Sequence, residues 1–349
     1  MTPSPPNHSK PIPAFNGMLR ALTSDAEQFD WKSVVKMIAF AIVHPRVTRN
    51  WLRHLESPEM TRLWERQPRL IDKPIRPYMN ANWGVVRRID SIKSHYRWLN
   101  ALMRPTTIER FFRPAPVLLA AWNLDNKSAQ LSLCLSYNGS FEREGELTLG
   151  LYRQVGIVLQ PCTPKDLIVS LTFSMVSEGE ANSVLYIGCI QAQPAPNILE
   201  TLRSITKQCF GLRPKALLVE AAKSMARRWN AELKGIDPDV HPFTSLRYRL
   251  SSRKRAAVAS MRAMYLSLWS DFDGQATSSG WFDLPRAQRL RADSEVPVHK
   301  RRMYAQRNAF LQHLDLSLNT ALDGLENPHK DALSPYRQDR QPNSEVTAA

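Results

Sequence analysis

The sequence predicts an α+β protein in which a basic, helical N-terminal part packs on a mixed, largely antiparallel sheet core with flanking helices. Three observations predict it. Apolar residues recur every three to four positions through residues 29–113. They alternate with polar ones across the middle of the chain, and the helical period returns after residue 197. We divide the chain into a Pro-rich tail (1–28), a basic helical subdomain (29–113), an α+β core (114–325) and a polar tail (326–349).

In the helical part, Trp31, Val34, Val35, Ile38 and Ile42 mark a helix that His44-Pro45 ends. Trp51, Leu55, Leu63 and Trp64 place a second over 46–66, and Val85, Ile89, Ile92, Tyr96 and Leu99 a third over 84–103. Between them QPRLIDKPIRPYMN, with its prolines, reads as a loop. In the core, Leu131, Leu133, Leu135 and Tyr137 alternate with small or polar partners. Asn138-Gly139 supplies a hairpin turn into Leu147, Leu149 and Leu151. Leu167 to Met175 alternates again, and Val184–Ile190, apolar on both faces, reads as a central strand whose Gly188 marks a bulge or a close backbone approach. Asn197 caps the next helix and Gly211 ends it, Pro214 opens another, and two more run over about 253–269 and 298–322.

The 349 residues are 43% apolar and 23% charged, which suits a folded chain and excludes wholesale disorder. Cys134, Cys162, Cys189 and Cys209 stand singly, without C-x-x-C, and read as small core residues rather than zinc ligands or a disulfide framework. The N-terminus lacks the apolar stretch of a secretory signal, and Met37–Val43 is too short to cross a bilayer, so the expected location is cytoplasmic. The net charge of +15 is unevenly spread: residues 1–113 and 201–349 are basic, whereas 114–200 carry more acids than bases. That distribution attracts anions: nucleic acid without sequence preference, a phosphorylated ligand, or a membrane surface touched peripherally.

The phrases SHYRWL, LTFSM, YIGCIQA, TKQCFGLRPKALL, AMYLSLW, WFDLP and HKRRMYAQR together resemble the VirK/YbjX family of bacterial proteins, over about residues 40–320. The chain departs from the family phrases at Ala192, where Gly is expected, and at Leu266, where Asp is expected. The resemblance implies a cytoplasmic protein linked to virulence, envelope integrity and survival of antimicrobial peptides, with no assigned chemistry.

Several residue groups are candidates for chemistry. Gln208-Cys-Phe-Gly211-Leu-Arg213 resembles a degenerate pyrophosphate loop of GNAT-type acyltransferases, with Arg213 where Gly or Ala belongs. That resemblance implies an acyl-CoA donor held by Gln208, Gly211, Arg213 and Lys215, a strand splayed at Gly188, and His95 or Tyr265 as acid or base. The alternative is an ordinary helix-to-helix turn with a glycine cap. Lys300, Arg301 and Arg302, with Tyr304 one turn on, put positive charge on the start of a helix, opposing its dipole and inviting an anion; a solvated helix start is the plain reading. Arg249, Arg253 and Arg255 form the densest basic patch, which with Arg227, Arg228, Arg87 and Arg88 can track phosphates. There is no recognisable RNA- or DNA-binding motif, no P-loop, no G-x-S-x-G elbow and no metal-ligand spacing. Asp271-Phe-Asp273-Gly274 reads as a turn rather than a calcium loop.

Overall fold

The computed structural model describes residues 31–113, 115–124, 129–137, 142–155, 161–179, 182–244, 252–288 and 296–329. By compactness the chain forms two units. One comprises the described residues up to Arg76 together with Gly84–Ile89, and the other Pro77–Trp83 with everything from Asp90 onward.

The first unit contains α1 (Trp31–Val43), α2 (Pro45–Leu55) and α3 (Pro58–Arg66). The single helix expected over 46–66 is two, because Pro58 has no N–H to continue the first and a φ suited to starting the second. The segment expected as a loop forms a 3₁₀ helix, Pro68–Ile75, which buries Leu70 and Ile71. Pro68 opens that short helix, Pro74 lies near its end, and Trp51 Nε1 donates to the Ile71 carbonyl at 3.0 Å to fasten it.

In the second unit, eight strands form one mixed sheet: β1 (Val117–Asn123), β2 (Ala129–Ser136), β3 (Leu147–Val155), β4 (Leu167–Ser177), β5 (Ser183–Ala192), β6 (Glu232–Ile236), β7 (Gln275–Ala276) and β8 (Trp281–Leu284). Their order is β1-β2-β3-β4-β5-β6-β8-β7. Every pair is antiparallel except β5 with β6. A parallel pair needs a long crossover, and α6 (Ile198–Gln208) with α7 (Pro214–Arg228) supplies it. The central strands β2 to β5 are buried on both faces, which is why their sequences are apolar or small at nearly every position. α7 packs on β3 to β6, and α9 (Val298–Leu325) on α7 and β1. α4 (Val85–Leu102), whose first turn belongs to the other unit, is followed by α5 (Pro105–Phe111), and α8 (Ser252–Asp271) precedes β7. The Asn138-Gly139 turn lies outside the described residues.

Glu326 belongs to the packed structure, although the sequence places it at the start of the tail. It is 2% exposed and pairs its backbone with Met103. Its carboxylate takes bonds from the Arg228 guanidinium (2.7 and 2.6 Å) and from Trp229 Nε1 (2.9 Å).

Candidate functional site

The centre of the sheet is bulged where the sequence expects it. Thr172 pairs with Cys189 but Phe173 with Ile187, so Gly188 is the extra residue on β5. A Cβ there would lie 1.9 Å from the Glu144 carbonyl oxygen, so only glycine admits the segment that crosses over it. That segment is fastened at Glu146, whose N–H donates to Phe173 O (3.0 Å) and whose carboxylate accepts from the Tyr78 and Tyr96 hydroxyls at 2.8 Å each. Burial, then the Glu146 charge, hold both phenols well above their usual pKa, so they remain neutral donors.

Beyond the bulge β5 and β6 part. Their pairing ends at Ile187 opposite Gly235, and the Ile190 N–H turns to the Tyr265 hydroxyl of α8 (2.8 Å). Trp269, one turn on, covers Gly235 and donates Nε1 to the Ile236 carbonyl at 2.9 Å. His241 closes the same region. It is fully buried, stacked on Phe243 and 5.9 Å from the Tyr265 ring, with Nδ1 accepting the Phe243 N–H at 3.2 Å. The proton therefore sits on Nε2, which faces the Gly188 backbone outside hydrogen-bond geometry. Desolvation lowers the pKa to about 4, leaving a neutral ring.

Alongside this wedge α6, α7 and α8 line an open cavity of about 580 Å³. Leu199, Leu202, Pro214, Met264 and Leu268 supply its apolar lining, and Arg203, Lys207, Arg213 and Lys215 bring four cations to it. The helical periods explain the mixture. On α6, Leu199, Leu202 and Thr206 line the cavity while Arg203 and Lys207 sit one position further round, and α7 begins at Pro214 with the cations on either side. Lys215 is partly buried, and desolvation first, then the charge of Arg213, lowers its pKa. Arg213 pairs with Asp271, both about half exposed, a weak contact that an incoming anion can displace.

Of the sequence-predicted loop, the structure brings Arg213 and Lys215 to this cavity, whereas Gln208 and Gly211 do not line it. Gln208 Nε2 donates to Ser204 Oγ (3.1 Å). α6 ends in a Schellman arrangement: Gly211 N–H donates to Thr206 O (2.8 Å) and Phe210 N–H to Lys207 O (3.2 Å), with Phe210 at φ 54° and Gly211 at φ 76°. The N–H groups of Cys209 and Leu212 are also engaged internally, and Pro214 has none. The N–H groups from Cys209 to Leu212 are thus already paired within the turn, because helix termination takes them. The opposite side is covered by Arg307, which donates to the Phe210 carbonyl at 3.0 and 2.9 Å.

The predicted acid/base candidates do not reach the cavity. Tyr265 is 1% exposed, and burial raises its pKa well above 10. His95 is 0% exposed, its Nδ1 taking the Met175 N–H at 3.1 Å. Lys300, Arg301 and Arg302 are exposed on the first turn of α9, and Arg307 covers the face of Tyr304 at 4.6 Å. Arg249 and the side chains of Arg253 and Arg255 lie outside the described residues. Arg227 and Arg228, read from sequence as phosphate-tracking, are tied to Asp315 and to Asp323 and Glu326 of the α9 end. Asp273, at φ 54°, forms a turn with Gly274, whose N–H returns to Trp269 O at 2.9 Å. No cluster of three metal-ligating side chains occurs among the described residues.

All four cysteines are buried and free, but two of them meet. Cys134 on β2 donates its thiol to Cys162, Sγ to Sγ 4.0 Å, which lowers the Cys162 pKa and raises that of Cys134. Nothing in their 28-residue separation signals that contact.

These features define an α+β protein with a bulged central strand and a basic, apolar-lined cavity beside its parallel strand pair. The family model described as "Protein of unknown function (DUF535)" matches residues 27–320, and the chain belongs to that family. It is 26% identical over 292 residues to "Uncharacterized protein YbjX" of Escherichia coli K12, covering 83% of each chain. An "Uncharacterized protein" of Haemophilus influenzae Rd is 25% identical over 241 residues, 69% of this chain and 73% of that one. No solved structure matches the chain. No helix among the described residues is long and apolar enough to cross a membrane.

Proposed function

We propose that the protein binds an anionic amphiphile of the acyl-CoA type in the cavity between α6, α7 and α8, and that this binding underlies a cytoplasmic role in envelope or virulence homeostasis, including resistance to antimicrobial peptides. The observation that carries the binding reading is the pairing of an apolar lining with Arg203, Lys207, Arg213 and Lys215 in one cavity of about 580 Å³. That volume suits a drug-sized ligand. Burial, and then the charge of Arg213, lower the Lys215 pKa, and a bound anion would offset both effects. With the Gly211 turn closed upon itself, side chains rather than backbone N–H groups would hold the phosphates. The homeostatic role rests on the family resemblance alone.

The bulged β5, its divergence from β6 and the helical crossover favour a second reading, a GNAT-like acyltransferase. In that reading Tyr265, already wedged between the strands, positions the β5 backbone, and Ser267 and Thr206 are the hydroxyls at the cavity. Binding of nucleic acid without sequence preference has less support, since Arg227 and Arg228 are held by carboxylates.

Thermal-shift titration with CoA, palmitoyl-CoA and palmitate tests the proposal. A saturable ligand at 100 times its dissociation constant stabilises the native state by about 2.7 kcal/mol. We expect palmitoyl-CoA to outperform the other two, and Lys215→Met to weaken it at least tenfold. Equal shifts in wild type and Lys215→Met, or none in folded protein, would remove the cavity from consideration. Release of free CoA from palmitoyl-CoA in the presence of an acceptor, beyond the rate without protein, would favour group transfer over binding alone.

A further inference from the structure

We propose that α1 is an interfacial membrane anchor, lying flat on an anionic bilayer with its exposed aliphatic face among the acyl chains. Helices on globular proteins turn their apolar stripe to the core. α1, WKSVVKMIAFAIV, does the reverse: Met37 is 1% exposed, while Val35, Ile38, Ile42 and Val43 are 52, 46, 75 and 68% exposed. At 3.6 residues per turn these four, with the exposed Ala39, occupy an arc of roughly 140° on the side opposite Met37. Among the exposed large hydrophobic side chains of the described residues they form the one cluster contributed by a single helix.

Charge selects the occupant. From residue 31 to 55, through α1 and α2, the sequence holds no Asp or Glu. Lys36 borders the aliphatic arc, and Arg46, Arg49 and Arg53 follow on the exposed side of α2. A two-fold contact between copies would set these cations against their own equivalents without a carboxylate on either helix to offset them. A bilayer of anionic lipid instead takes the aliphatic side chains and the cations together. Thirteen residues are too few to span the hydrocarbon core, so the helix must lie in the interface plane.

Co-sedimentation of the full chain with vesicles of phosphatidylcholine containing 30% phosphatidylglycerol, and with phosphatidylcholine alone, tests this. We expect binding to the anionic vesicles that weakens as salt rises from 150 to 500 mM and is weak or absent on the neutral ones. Ile42→Asp and, independently, Val43→Asp should abolish it while leaving the thermal midpoint unchanged, since both side chains are exposed. Replacing Lys36 and Arg46 by Gln together should lower the partition coefficient by about 30-fold, from about 1 kcal/mol per basic residue near the surface. No binding to anionic vesicles, or binding that survives both Asp variants, would overturn the proposal. So would a wild-type dimer by light scattering that Ile42→Asp converts to monomer without any vesicle binding.

Discussion

Acidification should act on this protein first through His241. The imidazole is fully buried, its Nδ1 is occupied as an acceptor, and Phe243 and Tyr265 rather than carboxylates surround it. Its pKa is lowered to about 4, against about 6.5 when unfolded. Between those values the unfolded chain binds more protons, so the neutral histidine's contribution is complete above pH 6.5 and is lost as pH falls through 4. A difference of about 2.5 units corresponds to about 3.4 kcal/mol, of which about 2.5 kcal/mol is gone by pH 4.5. Carboxylates titrate near that pH too, so the measurement is a difference of differences. Urea unfolding at pH 7.5 and 4.5 is compared for wild type and His241→Asn, whose Oδ1 can still accept the Phe243 N–H. The variant loses packing equally at both pH values but lacks the titrating ring. Its loss of stability between them should be smaller than wild type's by about 2–3 kcal/mol. Agreement within about 0.5 kcal/mol would show that the ring is not held neutral by burial and would refute the argument.

The Gly188 and Glu144 backbones are too close for any side chain, so Gly188→Ala should either prevent folding or cost about 3 kcal/mol, and an unchanged thermal midpoint would contradict the packing. Glu326→Gln removes the buried carboxylate that holds the partly buried Arg228 and should cost about 3 kcal/mol in denaturant unfolding. Asp323→Asn, which loosens the same guanidinium from an exposed carboxylate, should cost under about 1 kcal/mol. Alkylation of Cys162, followed across pH by mass spectrometry, should set in at higher pH in Cys134→Ala than in wild type, because the thiol donor is removed.

What was legible in the sequence follows from how local each cause is. The 3.6- and 2-residue periods located the long helices and β2 to β5, because one buried face imposes them residue by residue. Gly188 could be flagged because a glycine inside a strand carries its own signal, and it is both a bulge and a point of backbone contact. β6, β7 and β8 were not seen, being two to five residues long, with Gly235 under Trp269 and Lys234 paired to Asp283. Too few positions alternate there, and the parallel pair that creates the splay disappeared with them. The Glu146 carboxylate lies 68 positions from Tyr78 and 50 from Tyr96, so no spacing rule reaches that network.

The same distinction separates the two halves of the predicted phosphate loop. Its glycine is explained by helix termination: Phe210 and Gly211 take left-handed backbone angles so that the last carbonyls of α6 find donors, and this engages the N–H groups of Phe210 and Gly211. A pattern of Gly followed by a basic residue is therefore satisfied here by two independent causes, a cap for one helix and a cation at the mouth of the next. Arg213 and Lys215 acquire their potential only from what α6 and α8 bring opposite them, an apolar wall that keeps water away from Lys215. Burial lowers the pKa of a lysine so placed, and a bound anion raises it again. Ligand charge and lysine protonation are therefore coupled in this cavity. An anionic ligand should take up protons on binding, increasingly so toward alkaline pH, and an uncharged analogue of equal apolar area should not.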